Sequence, residues 1–190
     1  MQNFTESKNN IVAIRHTKVD IKKGICYGQS DIGLADSFSN EKKIIQSHIK
    51  TYRFDIVFSS PLIRCKQLAI ALFPDKQIIY DNRLMELDFG DWEAKHWDDI
   101  YKAPYSKIFF NDYINTPCPG GESFQDLIKR VSAFYHDIEL NYSAKQIAIV
   151  CHGGTIRAFM CAINGVSAQH AFSLKIDYGQ TISEFSEINK

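Results

Sequence analysis

Long apolar runs are missing from this 190-residue chain. The best are "IVAI" at 11–14 and "IAIVC" at 147–151, far short of the roughly 20 residues a membrane-crossing helix needs. The opening "MQNFTESKNN" has no apolar signal core, so the expectation is a cytoplasmic protein with a flexible tail over 1–10. An excess of either charge is also missing, because Lys plus Arg equals Asp plus Glu at 22 each. Such a balance gives no global attraction to nucleic acid or anionic membrane, and any bound anion must be met by a local cluster. The five cysteines are odd in number, with no CxxC pair and no paired Cys/His spacing, which disfavours a disulfide framework and structural zinc. Repeats, low-complexity stretches and long linkers are absent too, so 11–190 is expected to be one domain.

What is present is enough apolar material for a sizeable core, 45% of residues, beside 23% charged. Short β-branched runs at 11–14, 55–58, 77–80 and 146–151 predict strands apolar on both faces, central in a largely parallel sheet. Between them, Ile44, Ile45, Ile49 and Tyr52 make one helical stripe, and Phe124, Leu127, Ile128, Val131, Phe134, Tyr135 and Ile138 a longer one. Strands alternating with helices predict the α/β class. The terminal "FSLKIDYGQTISEFSEI" alternates around Tyr178 and Gly179, predicting an edge hairpin.

Three strands run directly into polar or glycine residues. "IVAIRHT" ends on Arg15 and His16. "DIVFSSPLIRCKQLA" continues into Ser60 as N-cap, Pro61 at the first helical position and Arg64 in the first turns. "QIAIVCHGGTIRAFM" continues into His152, two glycines and a helix from about Thr155. Strand C-termini in parallel sheets line the ligand crevice, and free amides at helix starts favour an anion there. Alone, Arg64 reads as a solvated surface residue and His152 as a satisfied core histidine. Arg15 and His16, bulky polar groups ending an apolar strand, call for an anion or water. "CHGGTIR" also matches the Cys-x5-Arg spacing of cysteine-dependent phosphatases, with Cys151 as thiolate and Arg157 on the phosphate oxygens. Against that stand Val150, where histidine is usual, and Ala158, where Ser or Thr is usual. That reading also lacks an aspartate acid loop and leaves Arg15, His16 and Arg64 unexplained.

In order along the chain, "RHT", "SSPLIRCKQLA", "LMELDFGDWEAKHWDDI", "PGGESFQDL" and "IVCHGGTIRA" resemble the histidine phosphatase superfamily, also called phosphoglycerate mutase-like. Within it, "RHTKVDIKKGICYGQSDIGL" is similar to the opening of the α-ribazole phosphatases of cobalamin synthesis. The resemblance implies a three-layer α/β/α sandwich with a mostly parallel sheet, and phosphomonoester hydrolysis through a phosphohistidine with neither metal nor cofactor. It also implies His16 as nucleophile, Arg15, Arg64 and His152 on the phosphate oxygens, and Glu86 as the proton donor. Asp88, Asp91 and Glu93 are the competing carboxylates. The partner implied is a small phosphorylated metabolite, not nucleic acid or membrane, with homo-oligomerisation left open.

Three positions depart from the family pattern: Thr17 and Ala94 replace glycines, and Lys22 replaces a pocket asparagine that Lys22, Lys23 or Gln29 would have to supply. "CPGGES" reads as a turn followed by a Ser123 helix cap bordering the pocket. Trp92 and Trp97 read as packing residues, as do Tyr101, Tyr105, Phe109 and Phe110, the alternative for the latter four being the wall of a nucleoside-sized pocket. No long insertion follows Glu93, which favours hydrolysis over a mutase reaction. Phosphoglycerate mutase, a broader histidine phosphatase and a non-catalytic phosphate-binding protein stay as alternatives.

Overall fold

A computed structural model describes residues 9–183. Its centre is a five-stranded sheet in the order β3-β2-β4-β1-β5. Strands β1 (Asn10–Arg15), β2 (Ile56–Ser59), β3 (Ile78–Tyr80) and β4 (Gln146–Cys151) run parallel, and β5 (Thr181–Ile182) runs antiparallel beside β1. Alternate side chains of a strand face opposite ways, and here they feed two separate cores. Val12, Ile14, Ala148 and Val150 pack with Ile45 and Ile49 of helix α1 (Phe38–Ile49) and with Leu68 and Ala69 of α2 (Ile63–Leu72). Ile11, Ala13, Ile147 and Ile149 pack against α5 (Phe124–Asn141) and α6 (Gly153–Asn164). Together these make the three-layer α/β/α sandwich. Two short helices, α3 (Trp97–Lys102) and α4 (Pro104–Asn111), stand over one end, and α7 (Ala168–Ser173) packs on α6.

The register positions the site. Arg15 pairs with Cys151 and Ser59 with Val150, so His16, His152 and Ser60 all leave the sheet at one level. The stripe on α5 is as expected, and its start carries a full capping box: Ser123 accepts from the Asp126 amide while Asp126 accepts from the Ser123 amide. The α6 helix begins at Gly153, two residues before the expected Thr155.

Several expectations need correction. Strand 77–80 is an edge strand with Ile79 and Tyr80 exposed, and only β2 pairs with it. Ser60 does not cap α2, which begins two residues beyond Pro61, at Ile63; the Ser60 hydroxyl instead meets His152 Nε2 at 2.8 Å. Among the described residues the hairpin does not form. Its first half begins on the last two residues of α7, Phe172 and Ser173, and continues through 174–176, whose carbonyls serve arginines rather than a strand ladder: Leu174 O accepts from Arg157 and Ile176 O from Arg15. The turn at Tyr178 and Gly179 is present, with Gly179 at φ +70°; the end of the second half lies outside the described residues, as do 1–8 of the expected tail. Asn9 and Asn10 are tied down, Asn9 to Tyr142 and Lys145 and Asn10 in β1.

Candidate active site

A cavity of about 550 Å³ opens beyond the C-terminal ends of β1 and β4. Arg15, His16, Glu86, Gly154 and Arg157 form its polar end. Its remaining wall is largely aromatic: Tyr27, Phe89, Trp97, Tyr101, Phe109, Phe110, Tyr113, Phe124, Phe172 and Tyr178.

His16 is 2% exposed, and its Nδ1 lies 2.7 Å from the Thr17 carbonyl. A carbonyl only accepts, so Nδ1 carries the proton and Nε2 keeps its lone pair. Burial, then the Arg64 and Arg15 charges, push His16 well below the ordinary imidazole value, against a smaller pull from the Thr17 carbonyl. The imidazole is therefore neutral. Arg15 is held by the Ile176 carbonyl and by the Tyr178 ring, 4.0 Å from its guanidinium carbon, while its buried Nε has no partner.

Arg64 and His152 stand behind this wall, both fully buried. Arg64 donates to the Ser30 carbonyl at 2.8 Å, to the Gly28 carbonyl and, through Nε, to His152 Nδ1 at 3.3 Å. Each terminal nitrogen keeps a second N–H. Because Nδ1 of His152 accepts, its proton is on Nε2, facing Ser60. Burial, then Arg64 and the neighbouring His16, hold His152 well below the ordinary value too. The two imidazole centroids lie 5.1 Å apart, edge to face.

Of the four competing carboxylates, Glu86 alone lines the cavity. It accepts from the Gly154 amide at the start of α6, 3.0 Å, and from its neighbour Leu87, 3.1 Å. Gly154 is needed for that approach, since a Cβ there would lie 2.2 Å from Glu86 Oε1. Glu93 is spent elsewhere, accepting from the Gly28, Gln29, Ser30 and Phe89 amides and the Ser30 hydroxyl. Burial alone would raise its carboxyl, but these bonds outweigh it and hold it low. Glu93 thereby fixes the loop whose carbonyls grip Arg64. Asp88 binds the Gly90 amide, and Asp91 lies against Gly120.

The sequence offers Arg157 as a site residue only together with the Cys151 thiolate, and the histidine mechanism leaves it an ordinary helix residue, yet it lines the cavity. Gly154 and Arg157 are three apart and share the face of α6 that meets the cavity, a spacing visible in "CHGGTIR". Trp97, Tyr101, Phe109 and Phe110 also wall the cavity, whereas packing was expected of them; Trp92 is buried as expected, edge-on to Phe109. Lys22 and Lys23 are exposed and off the cavity wall, and the Gln29 amide donates to the Glu86 carbonyl. Cys151 is fully buried off the cavity, and burial pushes its thiol up, opposite to what a thiolate nucleophile needs.

The family model for the histidine phosphatase superfamily (branch 1) matches residues 11–186. A 2,3-bisphosphoglycerate-dependent phosphoglycerate mutase of Mesorhizobium japonicum is 29% identical, covering 89% of this chain and 88% of that protein. Phosphoserine phosphatase 1 of Hydrogenobacter thermophilus is 24% identical, over 88% of this chain and 82% of the other. Among solved structures, the α-ribazole phosphatase from Shigella flexneri superposes with a TM-score of 0.82 at 25% identity, covering 90% of this chain and 88% of that one.

Proposed function

The chain belongs to the histidine phosphatase superfamily, and from that premise we propose that it hydrolyses a small phosphomonoester through a phosphohistidine on His16, without a metal ion. The Nε2 lone pair of His16 attacks phosphorus in line as the bond to the alcohol oxygen breaks, and Glu86 gives that oxygen its proton. Arg15 and the second N–H groups of Arg64 take the nonbridging oxygens, with His152 beside them, so that fixed positive charge meets the charge that grows in the transition state. Water then attacks the phosphohistidine, returns a proton to Glu86 and releases orthophosphate, with the P–N electron pair going back to Nε2. One difficult displacement becomes two easier ones.

The alcohol is proposed to be flat and aromatic, with α-ribazole 5′-phosphate of cobalamin synthesis as the substrate. The aromatic wall of the cavity carries this reading: ten of its lining residues are Phe, Tyr or Trp. Such a wall stacks on a benzimidazole riboside, and beyond Arg157 it offers little to the carboxylate or ammonium of phosphoserine or 3-phosphoglycerate.

The test is kcat/KM measured side by side on α-ribazole 5′-phosphate, 3-phosphoglycerate, phosphoserine and p-nitrophenyl phosphate, with wild type, His16→Ala and Cys151→Ser. Preference for the first ester by about 10²-fold or more over the two acid esters is expected, in the range a desolvated aromatic contact can supply. His16→Ala should abolish turnover and Cys151→Ser should keep it. Equal efficiency across the esters would remove the α-ribazole assignment, and an active His16 variant would remove the phosphohistidine.

A further inference from the structure

Arg130 projects from α5 with its side chain 17% exposed and takes no part in the cavity wall. Its fork is fully committed. Nε donates to Glu122 Oε1 at 2.8 Å and Nη2 to Glu122 Oε2 at 2.9 Å, a bidentate pair. Nη1 donates to the carbonyls of Arg83 and Met85, at 2.8 and 2.7 Å, and Nη2 to the carbonyl of Glu86, at 2.8 Å. Three carbonyls on the segment entering Glu86, those of residues 83, 85 and 86, thus converge on one guanidinium. Glu122 is anchored in turn, accepting from the Asp88 amide at 3.1 Å while its own amide donates to Asp88 O. Thr155 adds a hydroxyl bond to Met85 O at 3.0 Å.

The segment needs such support. Residues 85–89 belong to no helix or strand, so no ladder sets the height of Glu86 over Gly154. We propose that Arg130, held by Glu122, is a positioning residue for the proton donor: it fixes the backbone of 83–86 so that the Glu86 carboxylate meets the leaving-group oxygen. This rests on the assignment of Glu86 as proton donor. Lysine substitutes only in part, because an ammonium is a point donor and cannot fork across spaced carbonyls and a carboxylate.

The consequence is selective. A misplaced acid slows esters whose alkoxide must be protonated and spares those whose leaving group departs unaided. Benzyl phosphate and p-nitrophenyl phosphate are matched in size but opposite in this need. The experiment compares kcat/KM for both on Arg130→Ala, Arg130→Lys, Glu122→Gln and Glu86→Ala, with thermal melts of each. The ratio kcat/KM ends at departure of the alcohol and excludes the later hydrolysis.

We expect Arg130→Ala to lose about 10–10²-fold on benzyl phosphate and no more than about 3-fold on p-nitrophenyl phosphate, a part of what general acid catalysis supplies. Glu86→Ala should show the same pattern more strongly. Arg130→Lys and Glu122→Gln should show it more weakly, and they carry the test if Arg130→Ala does not fold. Equal losses on both esters in the Arg130 and Glu122 variants, with the selective loss kept in Glu86→Ala, would overturn the role of Arg130 and leave Glu86 standing. Equal losses in Glu86→Ala would remove the Glu86 assignment and this inference with it.

Discussion

Single residues set the chemistry through their backbone neighbours. The Thr17 carbonyl fixes the His16 tautomer at 2.7 Å, and Arg64 reaches the His16–His152 pair only because the Gly28 and Ser30 carbonyls receive its fork. Arg15, His16 and Glu86 were legible from type and place, at the ends of apolar runs or within the family pattern. Arg130 and Glu122 were not, since a polar residue on an amphipathic helix, or in the turn just before it, looks the same whether it solvates or supports. Ala94 was visible as a departure from a family glycine, and its φ of +62° gives the physical reason for the glycine. A Cβ in the left-handed region is strained. Ala94→Gly is therefore expected to raise unfolding stability by up to about 1 kcal/mol, the relief of strain outweighing the extra freedom of glycine in the unfolded chain. A lower midpoint in urea than wild type would contradict it.

Elements carry those residues to one place, and their periodicity was the readable part. The 3.6-residue stripe of α5 and the doubly apolar β1 and β4 are legible because burial selects side chains on every turn or on both faces. Segment 172–177 misled because Phe172, Leu174 and Ile176 alternate as a strand would, yet α7 takes the first two positions and arginines take the carbonyls that follow. The α6 start shows how an element and the chemistry meet: Gly154 leaves room for Glu86 and donates its amide to it. Gly154→Ala keeps a helix-compatible backbone and gains up to about 1 kcal/mol of helix propensity, while its Cβ displaces the Glu86 carboxylate. The expected result is an unchanged or raised melting temperature with kcat/KM lowered about 10²-fold on alkyl phosphates. Full activity would show that Glu86 does not act from its observed position.

For the molecule as a whole, charge balance hides a sharp local imbalance. Equal numbers of acids and bases coexist with Arg15, Arg64 and Arg157 beside two neutral histidines and Glu86. The α/β class and the crevice at the strand ends could be read from the order of elements. The aromatic cavity could not, because its wall is drawn from residues as far apart as Tyr27 and Tyr178, and only tertiary packing says which ring faces inward. That imbalance makes stability depend on pH. His16 and His152 are both held below the ordinary value, by burial first and then by the arginine charges. Their unfolded pKa is about 6.5, so below it the unfolded chain binds protons that the folded protein refuses. Their contribution is complete above about pH 6.5 and is lost as pH falls from there toward the folded pKa, with a slope of up to roughly 1.4 kcal/mol per pH unit for each imidazole. The carboxylates held low, Glu93, Asp81 and Asp126, lose theirs only nearer pH 4, below the window of the histidines. Urea unfolding between pH 5 and 8, in buffers free of phosphate, should therefore show a plateau above about 6.5 and a decline below it. His16→Gln and His152→Gln should each flatten that decline. A wild-type curve flat down to pH 5, or variants as steep as wild type, would mean that the two imidazoles are not held neutral by burial and by the arginines around them.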